Sequence, residues 1–130
     1  EARYRGLGVE ATVLEFIDDM AAAYGQADLL VCRAGAMTVA EIAAIGVASV
    51  LVPYPHAVDD HQTGNARFLS EHEAAVLLPQ SGLSAARLAA LFEGFDRPAL
   101  AAMAARARSL ARPEAARRVA DACEEVARTS

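Results

Sequence analysis

Short apolar runs alternate with helix-patterned stretches along most of this chain, and that alternation limits the fold more than any other feature. A strand covered on both faces reads as a continuous apolar run. A surface helix instead repeats its apolar positions every three or four residues. Residues 11–16 (ATVLEF) predict a first strand, and Asp18 then predicts an N-cap for a short helix over residues 20–24. Residues 29–32 (LLVC) predict a second strand, and Ala36–Ile45 a helix closed by Gly46 just past its C-terminus. Residues 49–52 (SVLV) predict a third strand, stopped by Pro53 and Pro55. A polar loop from His56 to His61, a helix over 62–70 and a fourth strand over 75–78 (AVLL) follow. Ser84 predicts the cap of a helix over Ala85–Glu93. Pro98 opens another helix, with Leu100, Met103, Ala104 and Ala107 on one face. Pro113 opens the last, with Ala116, Val119, Ala120, Cys123 and Val126 at spacings of three and four. Strand and helix in alternation predict an α/β fold, a parallel sheet with helices on both faces.

Composition agrees. A length of 130 residues suits one domain. Apolar residues make up 55%, much of it alanine, and aromatics only 5%, which favours closely packed helices over an all-β sandwich. The net charge of -5 excludes a general nucleic-acid binder and a polybasic membrane anchor. Cys32 lies in an apolar run and Cys123 on a helical apolar stripe, so both read as small core residues of a reducing compartment. No signal peptide and no run of about 18 apolar residues stands out. The first residue is Glu1 rather than Met, so the expectation is a fragment.

In an open α/β sheet, ligands bind outside the carboxyl ends of the strands. Three strand ends carry unusual residues here: Phe16 to Met20, Arg33 to Glu41, and Pro53 to Asn65. In the second, the small residues Ala34, Gly35 and Ala36 stand between a strand and a helix start, where a ligand can approach the backbone. The first-turn amides of that helix have no internal partner and carry partial positive charge, which suits a diphosphate. Glu41, about one turn further in, could accept the hydroxyls of a ribose. Spacing equally allows Thr38 and Glu41 to form a capping box that merely finishes the helix. Arg33 reads either as a phosphate contact or as a surface residue at a strand end, and Met37 more as packing than as a ligand contact. Asp59, Asp60 and His61 match no metal-ligand spacing, so no metal is expected. His56 and His72 read as loop and surface residues. Neither Gly-x-Ser-x-Gly nor a Walker A or Gly-x-Gly-x-x-Gly loop occurs.

Taken together and in order, these segments resemble a known family. Phe16-Ile17-Asp18-Asp19-Met20, CRAGAMTVAEIAAIG from Cys32 to Gly46, VPYPHAVDDHQTGNA from Val52 to Ala66, and MAARAR from Met103 to Arg108 are similar to the C-terminal domain of the MurG family. Its members are UDP-N-acetylglucosamine:lipid I N-acetylglucosaminyltransferases of peptidoglycan synthesis. The resemblance covers nearly the whole of this chain but only the last part of a family member.

The resemblance implies a GT-B glycosyltransferase with two doubly wound domains. Residues 1–130 would form a partial, Rossmann-like C-terminal donor-binding domain truncated at its N-terminal side, with a helical tail over 97–128. It implies that the backbone of Ile17 pairs with the uracil edge and that Arg33 lies near the sugar-nucleotide pocket. Ala36, Met37, Thr38, Val39, Ala40 and Glu41 would wrap the diphosphate and ribose, with Glu41 on the ribose hydroxyls. Gln62 and His61 would reach the N-acetylglucosamine hydroxyls, and Asn65 would support their loop. Some family members carry a second Gln where this chain has His61; both side chains donate and accept. The family inverts the anomeric centre by direct displacement and needs no bound cofactor or metal. The acceptor, lipid I, and the proposed catalytic base belong to the family's N-terminal domain, so no catalytic residue is expected in this chain. That domain would also supply peripheral attachment to the cytoplasmic face of the bacterial inner membrane. The alternative is a non-catalytic UDP-sugar or nucleotide-binding module of the same fold.

Overall fold

The computed structural model describes residues 2–56 and 58–129, with the side chains of Val58 and Thr129 excepted. The elements run α1 (Ala2–Gly6), α2 (Met20–Gln26), β1 (Leu30–Cys32), α3 (Ala36–Ile45), β2 (Ser49–Leu51), α4 (His61–Ser70), β3 (Val76–Leu77), α5 (Ala85–Glu93), α6 (Arg97–Ser109) and α7 (Ala115–Thr129). Short 3₁₀ turns at Val58–Asp60 and Gln80–Gly82 precede α4 and α5.

The strands form a parallel sheet in the order β1-β2-β3, with Val31 opposite Val50 and Leu51 opposite Leu77. Parallel neighbours need a crossover, and α3 and α4 supply the two. Alternation along β2 then divides the core. Leu51 joins Val39, Ile42 and Ala43 of α3, Ala66 and Leu69 of α4, Tyr24 of α2 and Ala107 of α6 on one face. Val50 and Val52 meet Leu78 on the other, against Leu88 and Leu91 of α5 and Phe95 just beyond it. Helices therefore cover both faces of an α/β sheet, as the alternation of patterns predicts. Burying a side chain such as Ile42 or Leu69 completely contributes about 1.5–3 kcal/mol. Beneath that packing, the Ser49 hydroxyl is fully buried and finds no hydrogen-bond partner among the described residues.

Local signals explain the helix ends. Ser84 Oγ accepts from the Arg87 amide, and Asp96 Oδ1 from the Ala99 amide with Pro98 in the first turn. Gly46 ends α3 in the left-handed region, at φ 77°, and lets α6 approach closely.

Several expectations are corrected. Residues 11–16 form no strand: they run irregularly, with Val13, Leu14 and Phe16 exposed, because no strand among the described residues pairs with them. An unpaired strand leaves its amides and carbonyls without a ladder. The sheet thus has three strands among the described residues, not four. The cap of α2 is Asp19, whose Oδ1 accepts from the Ala22 amide at 2.9 Å, not Asp18, which lies one residue too early. The stripe on α7 is present but unpacked: Val119 and Val126 are about two-thirds exposed and Cys123 is exposed, so Cys123 is no core residue. Cys32 is half-buried.

Candidate functional site

The carboxyl ends of β1 and β2 bring residues 33–35 beside residues 52–56, with the starts of α3 and α4 directly behind them. Three side chains tie these loops together. Gln62, in the first turn of α4, accepts with Oε1 from the amides of Tyr54 (2.9 Å) and Ala34 (3.3 Å). Asn65, one turn on, donates from Nδ2 to the Ala34 carbonyl at 3.0 Å. Arg33 donates from Nη1 to the carbonyls of Val52 and Pro53, at 3.3 and 3.2 Å, and its guanidinium lies 5.6 Å from the centre of the Tyr54 ring. The ring of His56 meets Tyr54 edge-on.

The start of α3 decides between two readings of Thr38 and Glu41. The N-cap is Gly35, with no side-chain cap, and Thr38 is the third helical residue. A capping box needs its Ser or Thr at the N-cap itself, so that reading fails on register. Among the described residues, no hydrogen bond engages the amides of Ala36, Met37 and Thr38. Ala36 and Met37 are exposed, Met37 at 74%, so this helix end opens outward. Val39 is buried against the sheet and Ala40 is exposed. Glu41 is half-buried, and its carboxylate makes no ion pair or hydrogen bond among the described residues. It stands near α2: burial first, then Cys32 and then Glu41, raises the Tyr24 hydroxyl above its ordinary pKa.

The run of small residues has a different meaning from the one its sequence suggests. Ala34 is completely buried, so its size serves the packing beneath the loop rather than a ligand's approach. Gly35 has an ordinary extended backbone, at φ -62°, and a Cβ there would meet only Thr38 Oγ1 at 3.6 Å. Glycine is not demanded by conformation at that position.

His61 is exposed at the first position of α4. The preceding Asp59 and Asp60 both adopt left-handed backbone, at φ 53° and 51°, and Asp60 Oδ1 accepts from Thr63 Oγ1 at 2.6 Å. Ile17 lies in the irregular segment before α2 and is 39% exposed. Arg33, Ala36 to Glu41, His61, Gln62 and Asn65 thus gather at the carboxyl end of the sheet. The clamp formed by Arg33, Gln62 and Asn65 on backbone groups was not legible in sequence, because apart from Tyr54, which is 8 residues from Gln62, its partners lie 19 to 31 residues away. A cavity of about 900 Å³ lies elsewhere, along the exposed face of α7 at Val119, Cys123 and Val126.

What this arrangement can do follows from its parts. Oriented amides at a helix start suit an anion, an unpaired carboxylate suits paired hydroxyls, and tied loops keep both in place. Comparison with known proteins bears on this directly. The model of the glycosyltransferase family 28 C-terminal domain matches residues 1–125. A UDP-N-acetylglucosamine--N-acetylmuramyl-(pentapeptide) pyrophosphoryl-undecaprenol N-acetylglucosamine transferase from Azoarcus sp. (strain BH72) is 63% identical over 126 residues, spanning 97% of this chain and 35% of that protein. The transferase of the same name from Ralstonia nicotianae is 61% identical over 130 residues, spanning 98% of this chain and 36% of that protein. The crystal structure of Acinetobacter baumannii MurG superposes with a TM-score of 0.84 at 50% identity, over 88% of this chain and 33% of that one. The chain spans about a third of the length of the curated relatives it matches. With this fold and this match along almost its whole length, the chain belongs to the glycosyltransferase family 28 C-terminal domain family.

Proposed function

We propose that this chain is the donor-binding part of a glycosyltransferase. It would move N-acetylglucosamine from UDP-N-acetylglucosamine to the 4-hydroxyl of lipid-linked N-acetylmuramyl-pentapeptide, turning lipid I into lipid II. The observation that carries the reading is the uncapped start of α3, open at the carboxyl end of a parallel sheet, with the unpaired Glu41 carboxylate behind it. The names of the relatives supply the sugar and the acceptor.

In this reading the amides of Ala36, Met37 and Thr38 hold the diphosphate and stabilise the charge that grows on departing UDP. Fixed donors do this without reorganisation, and each contributes about 3 kcal/mol to the transition state. Glu41 accepts the ribose hydroxyls, and the backbone of Ile17 pairs with uracil. Gln62 has already committed its carbonyl to two backbone amides, so its Nε2 is the group that faces the sugar as a donor. His61 adds a second contact there. The catalytic base and the lipid I site belong to the remainder of the protein, and residues 97–128 act as a helical tail. No described helix is long and apolar enough to cross a membrane. Peripheral attachment at the cytoplasmic face of the inner membrane, through that remainder, fits a lipid-linked acceptor.

Titration of the full-length protein with UDP and UDP-N-acetylglucosamine tests the reading, since a protein that binds neither refutes it. Glu41→Ala in the full-length protein raises the donor KM on the order of tenfold or more, the loss expected for hydrogen bonds to a charged acceptor, with an unchanged circular dichroism spectrum. An unchanged KM removes Glu41 from the ribose site. Binding without transfer to lipid I favours the non-catalytic UDP-sugar module instead.

A further inference from the structure

We propose that Arg33 is a positioning residue: it sets the loop that leads to Gln62 and does not contact the donor's phosphates. The inference rests on the donor-site reading above.

The sheet stops holding the chain just before this loop. The last ladder bonds on β2 are Val52 N to the Cys32 carbonyl and Leu78 N to the Leu51 carbonyl. Beyond them Pro53 has no amide to offer, and the carbonyls of Val52 and Pro53 point past the end of the strand. Arg33 reaches across from β1 and takes both carbonyls with one nitrogen. Its guanidinium also lies against the Tyr54 ring, and the Tyr54 amide in turn is held by Gln62. Arg33 thus fixes the carbonyls of residues 52 and 53 while Gln62 fixes the amide of Tyr54.

The rest of the loop needs those anchors. Asp59 and Asp60 sit side by side in left-handed backbone. Such left-handed residues are strained and persist only where the surroundings hold them. They lead directly into His61 and Gln62, so a loop released at Arg33 lets this end of α4 shift. The start of α3, which would carry the diphosphate and ribose, makes no hydrogen bond with Arg33 among the described residues: both backbone groups of Ala34 are held by Gln62 and Asn65, and Ala34 itself is completely buried. Losing Arg33 therefore affects the sugar end of the site and spares the nucleotide end. Lysine replaces it incompletely, since an ammonium lacks the planar face that lies on Tyr54.

The test uses the full-length protein with Arg33→Ala and Arg33→Lys. Three quantities are read: the Kd of UDP by calorimetry, kcat/KM for UDP-N-acetylglucosamine, and the hydrogen-exchange rate of the Tyr54 amide. Arg33→Ala lowers kcat/KM on the order of tenfold, the loss of charge-assisted hydrogen bonds, and Arg33→Lys falls between it and the wild type. The UDP Kd stays within about twofold, and Tyr54 exchanges faster. A phosphate contact gives the opposite pattern. If UDP affinity falls as far as kcat/KM, or if Tyr54 exchange is unchanged, the proposal is overturned. Failure of the donor-site reading has its own signature, because the wild-type protein then binds neither nucleotide.

Discussion

Replacing Gly46 with alanine tests whether the α3–α6 contact depends on the absence of one methyl group. Gly46 ends α3 with φ 77° and ψ 75°. An L-residue in left-handed backbone costs roughly 1–2 kcal/mol. An added Cβ would also lie 2.9 Å from the Arg108 Cβ and 3.2 Å from the Ala104 carbonyl oxygen, both on α6. Neither is the free end of a flexible side chain, so one helix must move, at a typical overpacking cost of about 1–3 kcal/mol. The two terms sum to about 2–5 kcal/mol, which at this chain length lowers the melting temperature by roughly 8–20 °C. Urea and thermal unfolding of the 130-residue chain, followed by far-ultraviolet circular dichroism because it has no tryptophan, measure the loss. Gly46→Asn separates the terms: asparagine tolerates the left-handed region but keeps the clash, so it falls between wild type and alanine. Gly64 is the control, lying inside α4 with open space around it, so Gly64→Ala gains about 0.5–1 kcal/mol. A Gly46→Ala chain within about 0.5 kcal/mol of wild type refutes the reasoning, as does equal damage from Gly64→Ala.

Three further outcomes follow from buried groups. Ser49→Ala stabilises the chain by about 1 kcal/mol in urea unfolding, because it removes a fully buried hydroxyl with no partner among the described residues; a loss of that size would show that the hydroxyl is bonded. Burial pushes the Cys32 thiol up, and Cys123 is exposed, so iodoacetamide labels Cys123 first at mild alkaline pH, as peptide mass spectrometry will read; equal labelling contradicts the packing. Cys32 and Tyr24 are both raised in the folded chain, so the unfolded chain loses these protons first. Their contribution to stability is present below the ordinary values of 9.0 and 10.0 and falls as pH climbs past them; unfolding free energies flat from pH 8 to about 11 contradict this.

Much of the fold was legible in the sequence because its signals are local. The apolar runs at Leu30 to Cys32 and Ser49 to Leu51 announce parallel strands, but only β2 is buried throughout; in β1 Leu30 and Cys32 are half-buried and Val31 is exposed. Ser84, Pro98 and Gly46 mark helix ends through their own backbone chemistry. The residues at the carboxyl ends of those strands were legible as a candidate site for the same reason. Other features depend on groups distant in sequence. Residues 11–16 carry a strand's apolar pattern but need a neighbouring ladder, which no described strand provides. The stripe on α7 shows which face is apolar but not what covers it. Whether Thr38 caps a helix or lies inside one turns on a register of three residues, set by where β1 ends and Gly35 bends. The task of Arg33 was invisible for the same reason: the carbonyls it holds belong to another strand, and only the folded sheet brings them within reach.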